Sequence, residues 1–164
     1  MDPITAIYIS LQITVVAWFD FKTRKISNLW TILNLALYLL FPFILPEVYS
    51  FKLSTWFVPL SFILVGFILF KIDVMGAGDS KYLFSLFLII PQAKHEQLLM
   101  TLLNFTAIIG CTLLIWRLVR NAKQVKLIVL TGVGSFKDIL GSKFTYAPVI
   151  MVSWFWFLYN VGVK

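Results

Sequence analysis

Two aspartates stand out by their surroundings. Asp20 follows directly on an apolar run that ends in Trp18-Phe19, and Asp79 closes Met75-Gly76-Ala77-Gly78-Asp79 just ahead of another apolar run. Carboxylates at the edge of apolar segments are expensive to leave uncompensated. One reading pairs them with neighbouring cations, Asp20 with Lys22 or Arg24 and Asp79 with Lys81. The other brings the two carboxyls together to share one proton. The ionised group then draws a proton from water while the protonated one polarises a peptide carbonyl. Such chemistry needs two acids and a water, and calls for no metal and no cofactor.

Gly76 and Gly78 let the backbone turn tightly and approach a substrate strand. In the simpler alternative they form an ordinary loop in which Asp79 caps the following helix. The helix dipole assigns roles within a pair: Asp20 lies near a helix C-terminus, which disfavours negative charge, and Asp79 at an N-terminus, which favours it. On that argument Asp79 is the resting base, although Lys22, Arg24, Lys25 and Lys81 can reverse the asymmetry. The other polar candidates read as structural. Lys94-His95-Glu96 forms a short loop, Gln12, Asn34, Asn104 and Asn160 can hydrogen-bond between helices, and Gly66 and Gly110 permit close helix approach. With one Cys (Cys111) and one His, neither a Cys/His zinc cluster nor a disulfide framework can be assembled.

The elements that must position these residues are membrane helices. Of 164 residues, 60% are hydrophobic and 13% charged, and the mean hydropathy is +0.92. A soluble domain of this length cannot bury so much apolar surface. Apolar runs at 4–19, 29–45, 53–70, 82–90, 98–116 and 146–161 predict an all-α bundle of six transmembrane helices, with residues 1–164 forming a single integral-membrane domain. The first run has no basic leader and no small-residue cleavage site, and so reads as a retained span. Residues 125–130, bounded by Thr131-Gly132-Val133-Gly134, are too few to span and read as an interfacial or re-entrant piece.

The connections divide by charge. Lys22, Arg24 and Lys25 follow the first span, Lys71 and Lys81 flank the turn between the third and fourth, and Arg117, Arg120, Lys123, Lys126, Lys137 and Lys143 follow the fifth. The other side holds Lys52, Lys94 and Lys164. The positive-inside rule therefore puts both termini outside and the three basic connections, with both aspartates, in the cytoplasm. The net charge of +7 reads as topology and contact with anionic lipid, not nucleic acid. Trp18, Trp30, Trp56 and Trp116 fall beside helix ends, where amphipathic rings anchor at the headgroups.

Taken together, the segments resemble a known family. Asp20-Phe21-Lys22-Thr23-Arg24-Lys25-Ile26-Ser27-Asn28 is similar to the D-x-x-x-R-x-I-P-N segment of type IV prepilin peptidases, with Ser27 where the family commonly has Pro. Met75 to Lys81 is similar to their G-x-G-D-x-K segment, and Phe144-Thr145-Tyr146-Ala147-Pro148 looks like the Pro-containing segment that opens their last helix. The resemblance implies a small, single-domain GxGD-type intramembrane aspartyl protease of the bacterial inner membrane. It would remove the short basic leader of type IV pilin-like precursors, with Asp20 and Asp79 catalytic and Gly76, Gly78, Lys81, Arg24 and Asn28 in support. The chain lacks the paired-CxxC cytoplasmic domain of the larger bifunctional members, which leaves N-methyltransferase activity in doubt. A presenilin-like protease fits less well, since there a Tyr precedes the first Asp and here Phe19 does. The rival from another class is a non-enzymatic component of a pilus or secretion assembly complex. There the aspartates would pair with Arg24 and Lys81 to fix helix register.

Overall fold

The computed structural model describes residues 2–49, 51–71, 75–122 and 145–161. Among them are six α-helices and no strand: α1 (Pro3–Thr23), α2 (Asn28–Ile44), α3 (Phe57–Lys71), α4 (Ala77–Leu88), α5 (His95–Arg120) and α6 (Ala147–Val161). They fall on the six apolar runs. The expected piece at 125–130 and the cations Lys123, Lys126, Lys137, Lys143 and Lys164 lie outside the described residues. Three stretches, Pro3–Thr23, Leu53–Lys71 and Gln92–Arg120, are long and apolar enough to cross a membrane. α2 and α6 are shorter apolar helices of 17 and 15 residues.

Local chemistry sets the helix ends. Asp2 caps α1, accepting from the Thr5 N–H at 3.2 Å, with Pro3 at the first position, where its missing N–H costs nothing. α1 stops at Arg24, which turns left-handed (φ 53°) and donates its N–H to the Asp20 carbonyl at 2.7 Å. That conformation is uncommon for a residue with a Cβ. Three residues on, the Ser27 hydroxyl accepts the Leu29 N–H at 3.3 Å and starts α2. Ser27 therefore has a capping function.

α4 is the central element. It has 12 residues and so covers about 18 Å. It packs against α2 and α3, while α6 packs against both α1 and α5. Tyr82, Leu83, Leu86 and Phe87 are almost wholly buried, in one core with Ile9, Ile13 and Val16 of α1, Leu98 and Leu102 of α5, and Ile150, Trp154 and Phe157 of α6. At its end α4 leaves carbonyls that need donors. The Tyr49 hydroxyl donates to Ile89 O at 2.9 Å, and His95 Nε2 meets Ile90 O at 2.9 Å, which requires the Nε2–H tautomer. His95 is buried beside Phe87 and opens α5, so the stretch read as a short loop is the start of a helix, while the role of His95 is structural as expected.

A polar seam crosses this core. Asn34 of α2, with no exposed surface, accepts from Gln12 Nε2 of α1 and donates to Ser85 Oγ of α4 at 3.2 Å. Gln12 and Asn34 thus join helices as expected. Asn160 does not: its amide returns to the Trp156 carbonyl in its own helix. Asn104 is exposed. Outside the core the surface is apolar, with Ile4, Phe43, Leu53 and Tyr159 all more than three quarters exposed. This is the inside-out pattern of a chain solvated by lipid. Trp18 and Trp116 are exposed in that surface, and Arg120 lies over the Trp116 ring at 5.2 Å. Trp56 instead turns inward against Tyr38.

Candidate active site

Three chain segments converge at one end of the bundle. The last turn of α1 carries Asp20, the start of α4 carries Asp79, and the residues opening α6 lie against Asp20. Both carboxyls are buried, with 3% and 7% of their surface exposed. Asp20 Oδ2 accepts the Ala147 N–H at 3.2 Å, across 127 residues of chain. Asp79 Oδ2 accepts the Gly76 N–H at 3.0 Å, and the Asp79 N–H returns to the Gly76 carbonyl at 3.2 Å. Backbone amides, not basic side chains, are the hydrogen-bond partners of both carboxylates among the described residues. Lys81 is exposed on α4 and is not in contact with Asp79, whose oxygens face inward.

The two acids sense each other. Asp79 stands ahead of the apolar stretch 82–90. Burial, and then the charge of Asp20, push its carboxyl up to about 6 against the opposing pull of the Gly76 N–H. Burial thus outweighs the helix dipole, which alone would have kept Asp79 readily ionised. A carboxyl held near neutrality beside a second carboxyl can exchange a proton with water, which is what general acid and base chemistry requires.

The glycines serve close approach. A Cβ on Gly76 would lie 2.9 Å from Asp79 Oδ2, displacing the carboxyl from the amide that it accepts. A Cβ on Gly78 would lie 3.3 Å from the carbonyl oxygen of Ile26. Gly78 therefore brings α4 flush against the turn between α1 and α2, and the two motif segments touch there. Arg24 and Asn28 flank that turn, both exposed. Arg24 contributes through its backbone cap, and Asn28 opens α2 behind the Ser27 cap.

The structure adds residues that spacing did not single out. Ile26 is the surface on which Gly78 rests, and Ala147 supplies the amide on Asp20. Tyr146 lies close enough to Asp79 for the carboxylate charge to bear on its phenol, and it is hydrogen-bonded to Thr106 of α5 at 2.7 Å. The Phe-Thr-Tyr-Ala-Pro segment was visible as the opening of a helix, but nothing in it announced an amide aimed at Asp20.

This geometry can be set beside known proteins. The sequence model of the type IV leader peptidase family matches residues 7–115. The chain belongs to that family. The matched region runs from the first turns of α1 to near the end of α5 and holds both aspartates, so this type IV leader peptidase homologue is a peptidase with its two acids inside the family's own segment. α6, with Tyr146 and Ala147, lies beyond it. No curated protein and no solved structure matches the chain significantly.

Proposed function

We propose that this leader peptidase homologue is an aspartic endopeptidase. It removes the short basic leader from type IV pilin-like precursors at the cytoplasmic face of the bacterial inner membrane. The observation that carries this reading is the buried pair itself. Asp20 and Asp79 sit at one end of the bundle, each accepting a backbone N–H, and the charge of one acts on the other.

The cycle follows from elementary proton accounting. The dyad begins with one proton. The ionised carboxyl takes a proton from water as the water oxygen attacks the scissile carbonyl carbon, while the protonated carboxyl donates to the carbonyl oxygen. The tetrahedral intermediate collapses as its C–N bond breaks: the leaving nitrogen takes a proton from one carboxyl while the other takes one back from a hydroxyl of the intermediate, whose oxygen becomes the new carbonyl. The dyad is left with one proton, ready for the next substrate. A helical peptide bond has its carbonyl masked, so the leader junction unwinds into an extended strand to reach the pair. Gly76 and Gly78 keep the Asp79 carboxyl and the turn at Ile26 in close register for that strand.

Topology agrees with this direction of attack. With the basic connections inside, both termini lie outside and the dyad faces the cytoplasm, where the precursor's leader resides. The surrounding cations hold that face on anionic headgroups, each worth about 1 kcal/mol. The assembly-component reading asked for the aspartates to pair with Arg24 and Lys81; the exposure of Lys81 and the backbone N–H partners of both carboxylates weigh against it.

The test is co-expression with a pilin-like precursor, following its gel shift on leader loss for wild type, Asp20→Asn and Asp79→Asn at matched membrane abundance. Wild type is expected to cut and both variants to lose activity by about a thousandfold or more, the scale for removing half of an acid–base pair. Normal cleavage by either variant would sink the dyad.

A further inference from the structure

Thr106 lies in the middle of α5, remote in sequence from both motif segments, and its hydroxyl makes two contacts of 2.7 Å. One is to the Leu102 carbonyl in its own helix and the other to the Tyr146 hydroxyl. A threonine has one hydroxyl proton, and a carbonyl can only accept. The proton of Thr106 therefore goes to Leu102, and the contact with Tyr146 must be a bond in which the phenol donates. This bond ties the Tyr146 hydroxyl to α5.

The residue after Tyr146 donates its amide to Asp20. The residues opening α6 are therefore tied at two points, the Tyr146 hydroxyl to Thr106 of α5 and the Ala147 amide to Asp20 at the end of α1. The hydrogen bond to Thr106 fixes the position of these residues. We infer that Thr106 is a positioning residue for the pair of carboxyls, acting through Tyr146 to keep the Ala147 N–H on Asp20. The inference rests on the dyad reading for its catalytic consequence but not for its geometric content. Among the described residues the buried ionisable groups at this end are Asp20 and Asp79, with Tyr146 beside Ala147, while Lys22, Arg24 and Lys25 after Asp20 and Lys81 on α4 are exposed.

Thr106→Val is the decisive variant. It keeps the shape of the side chain, removes the acceptor, and places an apolar residue in an apolar helix, so folding is preserved. Two readouts are taken on the full-length protein in lipid. The first is kcat and KM for precursor cleavage. The second is the pH dependence with which a hydrophobic carbodiimide, which modifies protonated carboxyls, labels Asp20 and Asp79, followed by peptide mass spectrometry.

Thr106→Val is expected to lower kcat about tenfold with KM within about twofold, as for a misplaced catalytic group. It is also expected to move the labelling midpoint of at least one aspartate by about half a pH unit or more, the size of a change in one hydrogen bond or neighbouring charge. Thr106→Ser, which keeps the acceptor, restores both. If Thr106→Val lowers the melting temperature but leaves both midpoints and kcat unchanged, Thr106 is an ordinary helix-packing residue and the inference is overturned. Loss of activity in Tyr146→Phe with none in Thr106→Val overturns it too, because Tyr146 then acts without Thr106. If wild type cuts no precursor while the midpoints still shift, the proposed function has failed and the positioning role stands.

Discussion

At the scale of single residues, the site is built from main-chain donors and from places where a side chain would intrude. Asp79 has two influences raising it, burial and Asp20, and only one can be removed by a conservative change. Asp20→Asn is therefore expected to move the protonation midpoint of Asp79 below about 6 while leaving it above the ordinary carboxylate value of 3.8, because burial persists. In carbodiimide labelling the Asp79 curve shifts to lower pH. An unmoved curve would mean that the acids are too far apart to act as a pair. The aspartates and glycines were legible in the sequence because few residue types do what they do. Thr106 was not, since a threonine among leucines reads as an ordinary helix residue, and its meaning depends on a tyrosine forty positions away. Ala147 was hidden for a deeper reason: the group it contributes is a backbone amide, which every residue except proline possesses.

At the scale of elements, α4 is short and buried, and its register is held by polar contacts at both ends and in the middle. Apolar patterning located all six helices, because each is long enough in hydrophobic residues to declare itself. It could not say which helices touch, since a lipid-facing and a protein-facing leucine look alike in one sequence. Asn34 supplies part of that information by joining α1, which carries Asp20, to α4, which carries Asp79. Asn34→Leu keeps the volume but strips Gln12 and Ser85 of a partner, and is expected to cost about 1 kcal/mol. Gln12→Leu and Ser85→Ala added to it should recover most of that loss, since replacing all partners by apolar groups removes the unpaired polar atoms. Thermal unfolding in micelles measures both. A triple variant no more stable than the single would show that the seam does not act as a unit.

At the scale of the whole molecule, the orientation of the bundle decides whether the acids can meet a leader at all. The charge division along the sequence predicts the side, and single-cysteine reporters can read it. In a Cys111→Ser background, Lys94→Cys is expected to react with a membrane-impermeant maleimide in intact cells, and Lys25→Cys only after permeabilisation. The reverse pattern would put the acids outside and leave the cytoplasmic leader beyond reach. This expectation can be drawn from the sequence, because the asymmetry of lysine and arginine is a property of the chain alone. The contacts that gather the three segments at the site are not, for they join α1 to residues 127 positions further along the chain.

The contact of Gly78 with Ile26 has a consequence for heredity. Two stretches about fifty residues apart meet where a Cβ on one would press on the carbonyl of the other, so the turn would have to give way. Neither position can drift alone: a bulkier neighbour at 78 needs a turn at 26 that withdraws, and a turn that moves carries Asp20 with it. Grafting either motif into another helical scaffold would therefore transplant half a joint, and the graft would have to bring the other half along.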